Sequence, residues 1–154
     1  IPVVTAAPLG LGTALVVFGP GGMSFEDYFG WDDRDELEMS VRFLVGLSPA
    51  MLQRGYVADS TRINLAERRG PSSMAACQLC AGVTAVDVLK LLLGRGGVRL
   101  APWASQFDAY RMRLVRTWRP LGYRNPLQRL MIMLVKAQLN GMAKTPPSGR
   151  HHEP

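Results

Sequence analysis

Cysteine is scarce in this chain, and the little there is does not build the usual frameworks. Only Cys77 and Cys80 are present among 154 residues. Two thiols three apart on one helix give no disulfide scaffold, so a reducing compartment is expected. They also leave a tetrahedral zinc two ligands short, so no zinc is expected. The histidines, His151 and His152, sit in a Pro/Gly/Ser-rich tail from Thr145 that is expected to be disordered, and they are read as inert. Long uncharged apolar runs are missing as well. Residues 8–18 are apolar but broken by Pro and Gly, and the uncharged part of the strongest helix runs only from Ser73 to Val86. A span needs about 20 residues. No stretch joins a basic segment to an apolar core in the manner of a signal peptide. The expectation is a cytoplasmic protein with no membrane partner. A nucleotide-binding glycine loop is absent too. Gly10-Leu11-Gly12 has Leu15 where a third glycine belongs, with a strand following where a helix is required. Gly19–Gly22 fails for similar reasons, and both are read as turns.

The composition that remains is globular, with 47% apolar and 19% charged residues. The length suits one domain or part of one. Charge is uneven. Between Met23 and Leu47, seven acids face two bases; between Arg95 and Lys136, nine bases face one acid. The basic half admits three readings: a solvated face, a face that meets an acidic partner, or a nucleic-acid surface. No recognition helix, zinc knuckle or stacking motif accompanies the arginines, so nucleic acid is not the expected partner. The chain opens on strand formers, Ile1, Val3 and Val4, and the expectation is that an N-terminal part precedes them.

Ser73–Gly94 organises the rest. It reads as one long, mostly buried helix, with Ser72 as its cap and Gly94 as the left-handed residue ending it. Asp87 and Lys90 share a face and can pair. Nearly everything else is apolar, which implies enclosure by other elements. Ala75, Ala76, Ala81, Gly82 and Ala85 would let a neighbouring backbone approach. Cys77 and Cys80 then read as small packing residues, with a thiol role as the lesser alternative.

Ahead of this helix, Ile1–Val4 and Ala14–Phe18 read as buried strands separated by a loop, Thr5–Gly12. Residues 23–70 form a long excursion. Ser24 and Asp27 resemble a capping box. Arg34–Leu47 is an amphipathic helix through Leu37, Val41, Leu44 and Val45. A short helix follows at Pro49–Gly55, and a polar stretch at Asp59–Arg69. The acids make the excursion a candidate mobile docking element. After the long helix, Gln106–Trp118 reads as one strand in which Tyr110, Met112 and Leu114 alternate with Arg111, Arg113 and Val115. Leu127–Asn140 is a last helix with Leu130, Met131, Leu134 and Leu139 on its apolar side.

Taken in order, these pieces resemble the C-terminal half of the ThiF/MoeB type of adenylyltransferase, relatives of the ubiquitin-activating enzymes. The matching residues are IPVVTAA, a turn, ALVVF, a crossover insertion, then Gly82-Val83, Ala85, Asp87, Leu89-Lys90, Leu92 and Gly94, and finally Phe107-Asp108-Ala109. The resemblance covers roughly Ile1 to Leu130. It implies an α/β fold, the C-terminal part of a Rossmann-like adenylation domain, with a mixed sheet packed on the long buried helix. The partial domain would be 1–144, with its crossover insertion at 23–70. The complete protein would use ATP and magnesium to activate the C-terminal carboxylate of a ubiquitin-like or sulfur-carrier protein, and a homo-oligomer is expected. No catalytic or cofactor-binding residue of the family maps onto this chain. The alternative is a non-catalytic interaction module derived from that family.

Overall fold

The computed structural model describes residues 1–31, 36–56 and 72–143. It is a mixed α/β fold: a four-stranded antiparallel sheet with helices on both faces. The strands are β1 (Val3–Leu9), β2 (Gly12–Phe18), β3 (Trp103–Asp108) and β4 (Arg113–Trp118), in spatial order β1-β2-β3-β4. Between β2 and β3 the chain makes α1 (Phe25–Phe29), α2 (Glu36–Leu47), a 3-10 turn at Leu52–Gly55 and α3 (Met74–Leu93). A second 3-10 turn, Gly122–Arg124, leads into α4 (Pro126–Ala143).

The mixed sheet expected from the sequence is instead antiparallel throughout. Its first hairpin is tighter than the loop read at Thr5–Gly12. Leu9 pairs with Gly12, leaving Gly10-Leu11 as the turn, with Gly10 at φ +62°. Pro8 lies inside β1. A proline is tolerated there because β1 is an edge strand with one paired side. The edge position also exposes Ile1 and Val3, which were expected to be buried.

β2 is the strand covered on both faces, and all seven of its residues are buried. Ala14, Val16 and Phe18 join Tyr28, Phe29, Leu47 and Ala104 in the main core. The Phe18 ring meets Phe25, Tyr28 and Phe29 at centroid distances of 5.5, 5.8 and 5.9 Å. Tyr28 donates its hydroxyl to the Gly46 carbonyl at 2.9 Å, so this buried phenol is satisfied. Burial holds it far above the ordinary phenol range, against a smaller opposing effect of Arg119. Gly46 is required by close approach, since a Cβ there would stand 2.8 Å from the Phe29 ring.

Ser24 caps α1 by accepting from Asp27 N at 3.0 Å, as the capping-box reading expects. Within α2, Val41 and Val45 are buried with Ile132 of α4, whereas Leu37 is exposed. The apolar side read for α4 is displaced. Leu130 and Leu134 face outward, while Gln128 and Ile132 are the buried positions. Leu139 lies outside the residues whose side chains are described. Asn125 starts α4, accepting from Leu127 N at 3.0 Å, with Pro126 at the first helical position.

The single strand read over Gln106–Trp118 is a hairpin. Asp108 Oδ1 accepts from Arg111 N at 2.9 Å, and Met112 takes φ +47°. An aspartate that captures a backbone N–H three residues on turns the chain, and local turn chemistry here overrides a period-two pattern. Tyr110 and Met112 consequently sit in the exposed turn, and Leu114 is exposed on β4.

Candidate interaction surface

α3 begins where the sequence places it, one residue later in its cap. Ser73, not Ser72, accepts from Ala76 N at 3.1 Å, and its own hydroxyl donates to the Gly10 carbonyl at 3.2 Å. The helix start is thereby tied to the β1–β2 turn. Gly94 ends it at φ +59°, with its N–H on the Lys90 carbonyl. Lys90 and Asp87 pair at 2.7 Å.

Enclosure is where the expectation fails. α3 packs on β1 and β2 through a narrow stripe in which only Ala76 and Cys80 are buried. Ala75, Ala81, Gly82 and Ala85 face outward, and a Cβ on Gly82 would meet nothing within 4 Å. Met74, Val86, Leu89, Leu92 and Leu93 are exposed by 78, 51, 54, 77 and 64%. An apolar helix can be closed in by its own chain or by another, and composition does not distinguish the two. By length and composition α3 could also cross a membrane, with a mean hydropathy of 1.7 over its best window and 6% of that window buried. The uncharged run Ser73–Val86 alone understates this, because the Asp87–Lys90 pair adds little net charge.

The sheet extends this apolar face. Leu15, Val17, Ser105 and Arg116 line a cleft of about 430 Å³ together with Asp87 and Lys90 of α3. Residues alternating with that register put Leu114, Arg116 and Trp118 on the α3 side of β4. Leu114 is 56% exposed and Trp118 55%. Trp118 pairs across the ladder with Trp103, ring centroids 6.4 Å apart, and Arg99 lies over Trp103 at 4.7 Å. The result is an exposed face in two parts, apolar along α3 and mixed apolar and basic along β4, with Asp87, Lys90, Ser105 and Arg116 lining the cleft between them. Exposed apolar side chains grouped in this way make α3 a candidate interaction surface.

The opposite face of the sheet is fastened by polar side chains that periodicity does not reveal. Tyr56 donates to Asp108 Oδ2 at 2.6 Å and accepts from Leu11 N at 3.0 Å. Gln106 Nε2 donates to Gln53 Oε1 at 2.8 Å, and Ser48 donates to Gln106 Oε1 at 3.1 Å. Ser48, Gln106 and Asp108 are all buried. Burial first, then the bond to Asp108, raises the Tyr56 pKa, so the phenol keeps its proton. This constellation is a clasp between the excursion and β3, without a free nucleophile or base. The matched Phe107-Asp108-Ala109 triplet thus has a local role: its aspartate closes the β3–β4 turn and receives Tyr56.

The thiol candidates are split by the helix. Cys80 is buried against the sheet, whereas Cys77 is exposed. Among the described residues no group of three or more His, Cys, Asp or Glu side chains could hold a metal ion. The glycine turns do not suit a nucleotide either. Gly10-Leu11 joins two strands, and Gly19–Gly22 closes on itself through Gly22 N to the Gly19 carbonyl at 3.1 Å before the five-residue α1. Of the acidic excursion, 32–35 and 57–70 lie outside the described residues, including the polar stretch Asp59–Arg69. The described part packs Tyr28, Phe29, Val41, Val45 and Leu47 into the core and leaves Glu26, Asp27 and Glu36 exposed. A scan against protein-family models found no match to this chain. A search of curated proteins likewise found none.

Proposed function

We propose that this chain forms the second half of a ThiF/MoeB-like, ATP-dependent adenylyltransferase, and that the complete protein activates the C-terminal carboxylate of a ubiquitin-like or sulfur-carrier protein. The observation that carries the reading is the outer face of α3. Its glycine, valine, leucine and lysine positions are those of the matched helix, and its apolar side is left open beside β4. Two strands, a long excursion, the long helix and a further strand ending at Asp108 also follow one another in the order of the resemblance. In this role the chain contributes surface. It presents α3 and the β4 face to the remainder of an adenylation domain or to a second copy, in a cytoplasmic assembly. ATP and magnesium would supply the activating phosphoryl chemistry when bound, and the groups holding them would come from outside the described residues. Protein-side catalysis of this kind rests on positioning and charge stabilisation.

ATP–pyrophosphate exchange tests the proposal, run with a carrier protein ending in Gly-Gly. The 154-residue chain alone should give no exchange, and the complete protein should. Exchange by the chain alone would place the catalytic groups within it. No exchange by the complete protein, with the carrier still bound, would favour the non-catalytic module.

A further inference from the structure

A second cleft lies on the other side of the molecule, between α2 and α4, away from the α3 face. Its volume is about 790 Å³. Among the described residues Arg42, Arg124, Arg129 and Lys136 line it, against one carboxylate, Glu38. That carboxylate is already committed. Oε2 accepts from Lys136 Nζ at 2.9 Å and Oε1 from Arg42 Nη2. The bond from Lys136, then that from Arg42, lowers its pKa. Arg42 also donates to the Gly30 carbonyl at 2.6 Å.

The two remaining guanidinium groups are different. Tyr123 holds Arg42 over its ring at 5.1 Å and Arg124 at 5.5 Å, and its hydroxyl accepts from Arg124 Nε at 3.2 Å. The bond to Tyr123 first, and Asp27 to a smaller extent, raise the Arg124 pKa. The Arg129 side chain meets no carboxylate among the described residues. An anion reaching Arg124 and Arg129 would offset two positive charges that form no ion pair with a described carboxylate. The floor between the cations is apolar, made by Ile132 and Met133. Met adapts its shape to varied contacts.

We infer that this cleft binds an acidic peptide segment of a partner protein, with its carboxylates on Arg124 and Arg129 and an apolar side chain over Ile132 and Met133. Nucleic acid fits less well. Single strands need open aromatic faces for their bases, and arginines already cover the Tyr123 ring.

The test uses the 154-residue chain and a short fluorescent peptide alternating glutamate and leucine. Arg124→Glu and Arg129→Glu should each weaken binding by about tenfold or more, equivalent to about 1.4 kcal/mol. Arg129→Lys should retain most of it. Arg54→Glu changes net charge equally on an exposed residue outside the cleft and should stay within about twofold. Circular dichroism confirms that the variants fold. Loss with Arg54→Glu as large as with Arg129→Glu would overturn the site in favour of bulk attraction to a basic protein. Equal affinity for a glutamate–serine peptide would remove the role of the apolar floor. Tighter binding of pyrophosphate or of a single-stranded RNA oligonucleotide would overturn the peptide assignment.

Discussion

The two faces of β2 carry similar side chains and end in different surroundings. Ala14, Val16 and Phe18 run beneath α1 and α2, where an aromatic cluster closes over them. Leu15 and Val17, equally buried, lie at the floor of the cleft beside α3. On the first side the covering helices turn polar groups to solvent and apolar groups inward. On the second, α3 spends a stripe on the sheet and leaves Leu89, Leu92 and Leu93 outside. The contrast teaches that similar faces of one strand can be covered to different depths: the described helices close over the first, and α3 leaves much of its own apolar surface exposed on the second.

Core and surface substitutions test that contrast most strongly. Phe29→Ala removes a ring that is 1% exposed and touches Phe25, Tyr28 and Phe43. It should cost roughly 3–5 kcal/mol in urea unfolding. Leu92→Ala, at a position 77% exposed, should stay within about 0.5 kcal/mol. A comparable cost at Leu92 would mean that another chain already covers α3 in solution, and light scattering would then report an oligomer that the substitution disperses.

The clasp on the closed side comes next. Asp108→Ala strips the partners from Tyr56 and Arg111 N. The expected loss is roughly 1.5–3 kcal/mol, as for hydrogen bonds to a charged group. Faster amide exchange should be confined to the β3–β4 turn and the Leu52–Gly55 segment.

A gain is expected on the open side. Gly82→Ala adds a methyl to open space in a helix interior and should stabilise by up to about 1 kcal/mol. If a partner backbone approaches α3 there, the same change should weaken the association, measured as a raised dimer dissociation constant.

The smallest effect is a pH dependence on the closed side. Lys136 and Arg42 lower the pKa of Glu38 in the folded state. A carboxylate so lowered contributes stability above its unfolded pKa, near 4.3, and loses it as pH falls through the folded value. The pair is partly exposed, so solvent screening limits the effect to about 0.5 kcal/mol. Glu38→Gln should therefore unfold more easily than the parent at pH 7, with the difference vanishing near pH 3.

Strands and helices were legible in the sequence wherever local chemistry and periodicity agreed. β2, the capping of α1, the Gly94 stop and the Asp87–Lys90 pair all follow from residue type and spacing. Two readings failed for opposite reasons. The Gln106–Trp118 alternation hid a turn, because Asp108 offers the backbone a bond that a period-two count ignores. The buried-helix reading of α3 was sound in composition and wrong in surroundings, since apolar content does not say whose chain provides the cover. The Tyr56 clasp was invisible because its partners lie 45 and 52 residues apart. The arginine cleft was legible as charge alone; its geometry depends on Tyr123, a residue that carries no pattern.

Pro8 carries a consequence for how this sheet could grow. Among the described residues no strand pairs with the outer side of β1, and proline has no N–H to offer a neighbour. A strand laid along β1 could therefore zip from Val3 to Ala7 and would lose its ladder at Pro8, short of the Gly10 turn that anchors α3. Added sheet at this edge has a built-in stop. It would extend the molecule without disturbing the corner where Ser73 meets Gly10.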